Sequence, residues 1–130
     1  MRDEELKEQD LKDWLRRLTA QLRAAGQADA RHQLMLLLAQ QLGMSRSELI
    51  LNWETLRLDQ AARKNFEAKA LRLAQGEPLA YVLGETDFYG QRFKVTPDVL
   101  IPRPDTEILL EVFATLPQQK KLDQGRILDI

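Results

Sequence analysis

The chain has 130 residues, a formal net charge of -1, one histidine and no cysteine. This composition excludes disulfides and thiolate metal sites, argues against a histidine-based metal site, and offers no basic excess that would bind nucleic acid. The N-terminus is densely charged, unlike a signal peptide, and no apolar run approaches the roughly 18 residues needed to span a membrane. The sequence therefore predicts a soluble, cytoplasmic protein.

Residues 1–76 show the pattern of a small helical bundle with short connections. Apolar residues recur at helical spacing in the first helix, and the second helix is apolar almost all round, which is typical of a central helix. We expect Gly43 to cap the second helix. Ser45, with Glu48 three residues later, predicts a capping box on a short third helix, and Asp59 is expected to cap a longer fourth helix.

The character of the sequence changes in residues 77–104, which predict a β-hairpin followed by a proline-rich linker. Two short extended runs flank the Tyr-Gly-Gln at 89–91, and this arrangement is typical of a hairpin. The Pro-Asp at 97–98 predicts a turn. The Ile-Pro-Arg-Pro at 101–104 is expected to be extended, because proline fixes its own φ and restricts the residue before it.

Residues 105–130 predict the start of an α/β domain. Asp105 or Thr106 is expected to cap a helix that carries one apolar stripe. The last five residues, 126–130, have the character of a buried strand, and such a strand needs neighbours on both sides. An edge strand that pairs with the hairpin is the alternative. The predicted fold is mainly α: a helical bundle, a hairpin linker, and the first helix and strand of a truncated, Rossmann-like α/β domain.

The segments GEPLAYVLGETDFYGQRFKV (76–95) and IPRPDTEILLE (101–111) resemble the linker of the peptide chain release factor glutamine methyltransferases, the HemK/PrmC family. The bundle before them is similar in size to this family's N-terminal helical domain, and residues 126–130 resemble the first strand of its methyltransferase domain. The spacing of G-E-P-x-x-Y, a hairpin and I-P-R-P-D-T-E is specific. The P-D-T-E favours this branch over the related ribosomal-protein methyltransferases.

The resemblance implies methyl transfer from S-adenosylmethionine to the side-chain amide nitrogen of the glutamine in a release factor's Gly-Gly-Gln motif. It also implies that residues 1–76 dock the protein substrate. The family's glycine-rich cofactor loop and Asn-Pro-Pro-Tyr motif would lie beyond residue 130. We therefore expect this chain alone to be inactive and not to bind the cofactor, and we expect no catalytic residue within it.

The same resemblance implies that the segment around 101–107 lines the cofactor or substrate pocket. The prolines restrict the backbone, so ordering the segment on binding costs less entropy. The arginine can form two parallel hydrogen bonds, and the threonine and glutamate are expected in the first turn of a helix. The candidates are Leu100, Pro102, Arg103, Pro104, Thr106 and Glu107. In the alternative interpretation the segment is only a domain linker that caps a helix and uses Arg103 as a structural ion-pair partner.

Two other functions remain open from the residues. One is a stand-alone helical protein-interaction module without enzymatic activity. The other is a fragment of a DNA adenine methyltransferase, which the near-neutral charge and the helical bundle disfavour.

Overall fold

The computed structural model describes residues 8–115, with side chains from residue 10 onward. The chain divides between Leu83 and Gly84 into two compact units. Within the described residues, no helix combines the length and apolar character that a membrane crossing requires. The elements in chain order are α1 (Glu8–Ala24), α2 (Ala30–Leu42), α3 (Arg46–Leu51), a 3₁₀ turn (Trp53–Thr55), α4 (Gln60–Ala74), α5 (Leu79–Leu83), β1 (Glu85–Phe88), β2 (Gln91–Lys94) and α6 (Pro104–Ala114).

The predicted fold class is confirmed for the described residues, since these elements are mainly helical and the two strands form one antiparallel hairpin. The strand predicted at 126–130 lies outside the described residues.

The first unit is a helical bundle in which α1, α2 and α4 pack against one another. Helix α1 is strongly amphipathic, so its apolar residues fall on one face and become buried when that face meets the other helices. The buried residues form one continuous core: Leu11, Trp14, Leu15, Leu18, Leu22, Ala30, Leu34, Met35, Leu37, Leu38, Ala39, Leu49, Leu56, Leu58, Phe66, Ala70, Leu73 and Val82.

The predicted helix ends in the bundle are confirmed. Gly43 caps α2 in the left-handed conformation, with φ 66°, which glycine adopts without steric cost. Ser45 and Glu48 form the reciprocal capping box at the start of α3. The Asp59 carboxylate accepts a hydrogen bond of 2.7 Å from the backbone N–H of Ala62 at the start of α4.

Helix α5 is absent from the sequence prediction, which placed only a hairpin and a linker in this region. Its first turn is closed by hydrogen bonds from the amides of Tyr81 and Val82 to the carbonyl of Pro78. Val82 is buried in the bundle core, and the side chain of Gln40 donates 2.9 Å to the carbonyl of Leu83. These tertiary contacts stabilise one helical turn in a sequence whose aromatic and β-branched residues favour strands.

The second unit begins with the predicted hairpin, which is confirmed. Strands β1 and β2 pair antiparallel, with Glu85 opposite Lys94 and Phe88 opposite Gln91. The loop is two residues long, Tyr89 and Gly90, and both have positive φ, 50° and 74°. Such angles are those of a type I′ turn, whose twist matches that of the flanking strands.

The start of α6 differs from the prediction. Neither Asp105 nor Thr106 caps the helix; both lie inside it, because Pro104 is already its first residue. Proline suits that position since it lacks an N–H and has a helical φ. The cap is therefore Arg103, which is extended (φ -86°, ψ 142°) and makes no side-chain cap bond, as its guanidinium has no acceptor. The expected extended conformation is wrong for Pro104.

Candidate functional site

The predicted pocket-lining residues lie in the second unit, between the hairpin and the first turn of α6. The predicted turn at Pro97–Asp98 is confirmed: the amide of Val99 donates 2.9 Å to the carbonyl of Thr96. The chain then has no regular structure until α6 begins at Pro104. The two prolines of this stretch restrict its backbone before any ligand binds, so ordering it on binding costs less entropy.

Glu107 joins the beginning of α6 to the hairpin loop. Its Oε1 accepts a hydrogen bond of 2.7 Å from the backbone N–H of Tyr89. Tyr89 holds a left-handed conformation, with φ 50°, which is unfavourable for a residue with a Cβ. The bond from the charged carboxylate helps to offset that cost. The two residues are 18 positions apart in the sequence, so no local pattern predicts this contact.

The other candidates are mostly on the surface of the described chain. Leu100 is 83% exposed, Arg103, Pro104 and Thr106 are exposed, and Pro102 is partly buried. Within residues 10–115, the Arg103 side chain forms no hydrogen bond or ion pair. The pocket-lining role of these residues stays a prediction.

An apolar surface accompanies this segment. Helix α6 has no buried residue, although most of its side chains are apolar. Single exposed apolar residues are ordinary, but a cluster of large ones is typical of an interaction surface or of a surface prone to aggregation. The exposed members are Val99, Leu100, Ile108, Leu109, Leu110, Val112 and Phe113. We call this set the α6 apolar surface.

The candidate segment alone offers few groups for S-adenosylmethionine. The exposed Arg103 can pair with the cofactor's carboxylate but not with its positive sulfonium. Glu107 is partly buried, and its carboxylate already accepts a hydrogen bond from a backbone amide. Among residues 8–115, no group of histidines, cysteines and carboxylates could hold a metal ion.

Glu77, the acid of the G-E-P motif, forms an ion pair in the first unit. The Arg72 guanidinium donates two hydrogen bonds to it, Nε to Oε2 at 2.6 Å and Nη2 to Oε1 at 2.7 Å. A long contact of 3.5 Å runs from Arg72 Nη2 to the carbonyl of Tyr81. This arrangement fixes the chain where it leaves α4 and enters α5. The sequence analysis did not predict this ion pair.

The pair shifts the protonation equilibria of both groups. The pKa of Glu77 is lowered, chiefly because its carboxylate accepts hydrogen bonds from Arg72, with the nearby positive charge adding to this against the effect of burial. The pKa of Arg72 is raised for the same reason. Both pKa shifts favour the ionised forms of Arg72 and Glu77. Glu77 therefore has a structural role in the first unit.

Comparison with known proteins places these features in context. Residues 13–84 match the family model of the PrmC N-terminal domain. A release factor glutamine methyltransferase of Burkholderia pseudomallei is 50% identical over 76 residues, which cover 58% of this chain and 26% of that relative. The enzyme of the same name from Coxiella burnetii is 43% identical over 96 residues, or 73% of this chain and 33% of the relative.

A third relative, the release factor glutamine methyltransferase of Bradyrhizobium diazoefficiens, is 37% identical over 130 residues, which cover 94% of this chain. The chain spans only 41% of that relative's length. The similarity therefore extends over nearly the whole chain, while the chain spans well under half of each of the three relatives.

Proposed function

Because the chain belongs to the release factor glutamine methyltransferase family through its PrmC N-terminal domain, we propose that it is the N-terminal part of such an enzyme. The reaction is methylation of the glutamine side-chain amide nitrogen in the Gly-Gly-Gln motif of a peptide chain release factor. S-adenosylmethionine supplies the methyl group. The protein works in the cytoplasm, where release factors act.

The observation that carries this proposal is the α6 apolar surface. Its seven large side chains are each at least 37% exposed, and Leu109 is 68% exposed. Covering such a surface is favourable by about 25 cal/mol per Å² of apolar area. The relatives continue well beyond the matched region. A methyltransferase domain that packs on this surface explains why α6 is apolar without burying any residue.

The chemistry defines what this part contributes. An amide nitrogen is a poor nucleophile because its lone pair is delocalised into the carbonyl. The enzyme must therefore hold the amide in line with the methyl group and accept hydrogen bonds from its N–H groups. In this proposal the helical unit holds the release factor, and Leu100 and Arg103 contact the pocket from the rigid segment that Glu107 joins to the hairpin.

The test begins with the genomic DNA that follows codon 130. We expect an open reading frame that encodes a glycine-rich loop and an Asn-Pro-Pro-Tyr motif. The protein expressed from the complete frame should transfer labelled methyl groups from S-adenosylmethionine to a release factor, and a release factor with Gly-Gly-Ala should accept none. The 130-residue chain alone should transfer none.

Two results would contradict the proposal. A natural stop codon at this place would favour the stand-alone interaction module. Equal labelling of the Gly-Gly-Gln and Gly-Gly-Ala proteins would show that the modified residue is a different one.

A further inference from the structure

An open groove with an apolar floor lies in the helical unit, between α1, α2 and the segment from α3 to the 3₁₀ turn. Its volume is about 400 Å³. Leu15 and Met35 form the base and are almost fully buried, while Trp53 is partly buried. Ile50 stands at the edge and is 58% exposed. The floor thus offers aliphatic and aromatic surface within reach of a side chain from outside.

The rim of this groove is positively charged. Arg16 and Arg31 line it and are exposed, and none of the described residues that line it is acidic. Lys12 also lines the rim, but it already has an interaction of its own within the chain. Asp13 approaches Arg16 at 3.3 Å, but both side chains are at least half exposed, so this pair does little to neutralise the rim. The described lining of the groove is therefore positively charged, with Arg16 and Arg31 as the cations on which docking of an acidic segment depends.

We propose that this basic groove docks an acidic segment of a protein partner that presents an apolar side chain between its carboxylates. The apolar side chain packs on Ile50 and Trp53, and the carboxylates pair with the rim. The inference rests on the proposed function in one respect: it takes the partner to be the release factor. Charge complementarity selects the partner and speeds its encounter, while the buried apolar contact supplies most of the affinity.

The geometry favours a protein segment over nucleic acid. Nucleic acid is held by cations that follow a phosphate backbone, with bases stacked on aromatic rings. The groove has three cations and a single aromatic side chain, and the rest of its floor is aliphatic. An aliphatic floor with a charged rim resembles the centre and edge of a protein interface.

Two pairs of variants test the proposal in the 130-residue chain. Arg31→Glu reverses one rim charge; the residue lies in the first turn of α2, where an acid is compatible with the helix dipole. Lys64→Glu is its control, because Lys64 is an exposed cation of α4 away from the groove. Ile50→Ser removes the apolar edge, and its control is Leu71→Ser, since Leu71 is also 58% exposed but lies outside the groove.

The probes are a purified bacterial release factor and a synthetic peptide in which glutamates flank leucines. Binding is followed by NMR through the indole N–H signals. The signal of Trp53 should shift on binding, whereas that of Trp14, which does not line the groove and whose Nε1 donates to Glu67, should not. Arg31→Glu and Ile50→Ser should each weaken binding of both probes about tenfold, or ~1.4 kcal/mol. The two controls should change it by less than about twofold.

Different results separate the groove from the proposed function. The docking proposal is refuted if Arg31→Glu and Ile50→Ser bind the release factor and the acidic peptide as tightly as the unchanged chain does, even when the complete enzyme methylates the release factor. Equal binding of a lysine-containing peptide or of a single-stranded oligonucleotide also overturns it. If the acidic peptide binds with the expected variant pattern but the release factor does not displace it, the release factor is the wrong partner.

Discussion

Replacing Phe66 by alanine tests whether the helical unit depends on the core described above. Phe66 has no exposed surface, and its ring lies 5.0 Å from that of Trp14 at an angle of 48°. Truncation of a buried phenylalanine to alanine costs about 3–5 kcal/mol in transfer free energy and cavity formation. That range includes part of the ring–ring contact, which contributes about 0.5–1.5 kcal/mol.

A loss of this size is large, because domains are stable by only about 5–15 kcal/mol. Urea denaturation of the chain, followed by far-ultraviolet circular dichroism, should show a lower midpoint with an unchanged slope. Leu71→Ala in the same helix is the control; Leu71 is 58% exposed, so its replacement should change the free energy of unfolding by less than about 0.5 kcal/mol.

If the alanine variant does not fold, Phe66→Leu keeps most of the volume and should cost about 1–1.5 kcal/mol. A loss below about 1 kcal/mol for Phe66→Ala, with an unchanged slope, would contradict the core as described, since a fully buried ring cannot be removed at so small a cost.

Three further predictions concern single contacts. Glu77→Gln should lower the thermal midpoint at about pH 7, and this difference should shrink as the pH falls below the ordinary glutamate pKa of about 4.3, because the pKa of Glu77 is lowered by its pair with Arg72 and the stability from the pair is lost as the carboxylate becomes protonated. Glu107→Ala should speed hydrogen exchange at the Tyr89 amide more than Glu107→Gln, which keeps an acceptor oxygen; an alanine variant that exchanges as slowly as the unchanged chain would exclude the bond. With the α6 apolar surface exposed, we expect the chain to self-associate as its concentration rises, and Leu109→Ser should weaken this in sedimentation experiments. Because Leu109 is 68% exposed, the same change should leave the free energy of unfolding unchanged within about 0.5 kcal/mol.

Local patterns were sufficient to predict those parts of the fold that local chemistry determines. The capping box of Ser45 and Glu48 needs only two side chains three residues apart. The hairpin likewise follows from two short extended runs around Gly90. Both predictions depend on backbone hydrogen bonds that close within a few residues, so the rest of the chain does not alter them.

The prediction was wrong or incomplete where distant contacts or competing local rules decide the structure. Helix α5 is stabilised by burial of Val82 and by the bond from Gln40, which lies 43 residues before Leu83. At α6, two local signals compete: an acid or threonine favours the cap, and proline favours the first helical position. Pro104 occupies that position and moves the helix start ahead of Asp105.

Glu77 and Glu107, the acids of the two sequence motifs, already have partners and are therefore weaker candidates for binding a substrate. Glu77 is paired with Arg72, and Glu107 is bonded to the hairpin loop, so each holds two elements of its own unit together. An acid that already has such a partner loses that bond if it must bind a substrate. Leu100 and Arg103 would lose no such bond within the described residues. Leu100 is 83% exposed, and the Arg103 side chain has no partner there. Of the six predicted residues, Glu107 is therefore the one that loses a bond if it binds a substrate, and the pocket-lining role of Leu100, Arg103 and Thr106, which are exposed, stays a prediction.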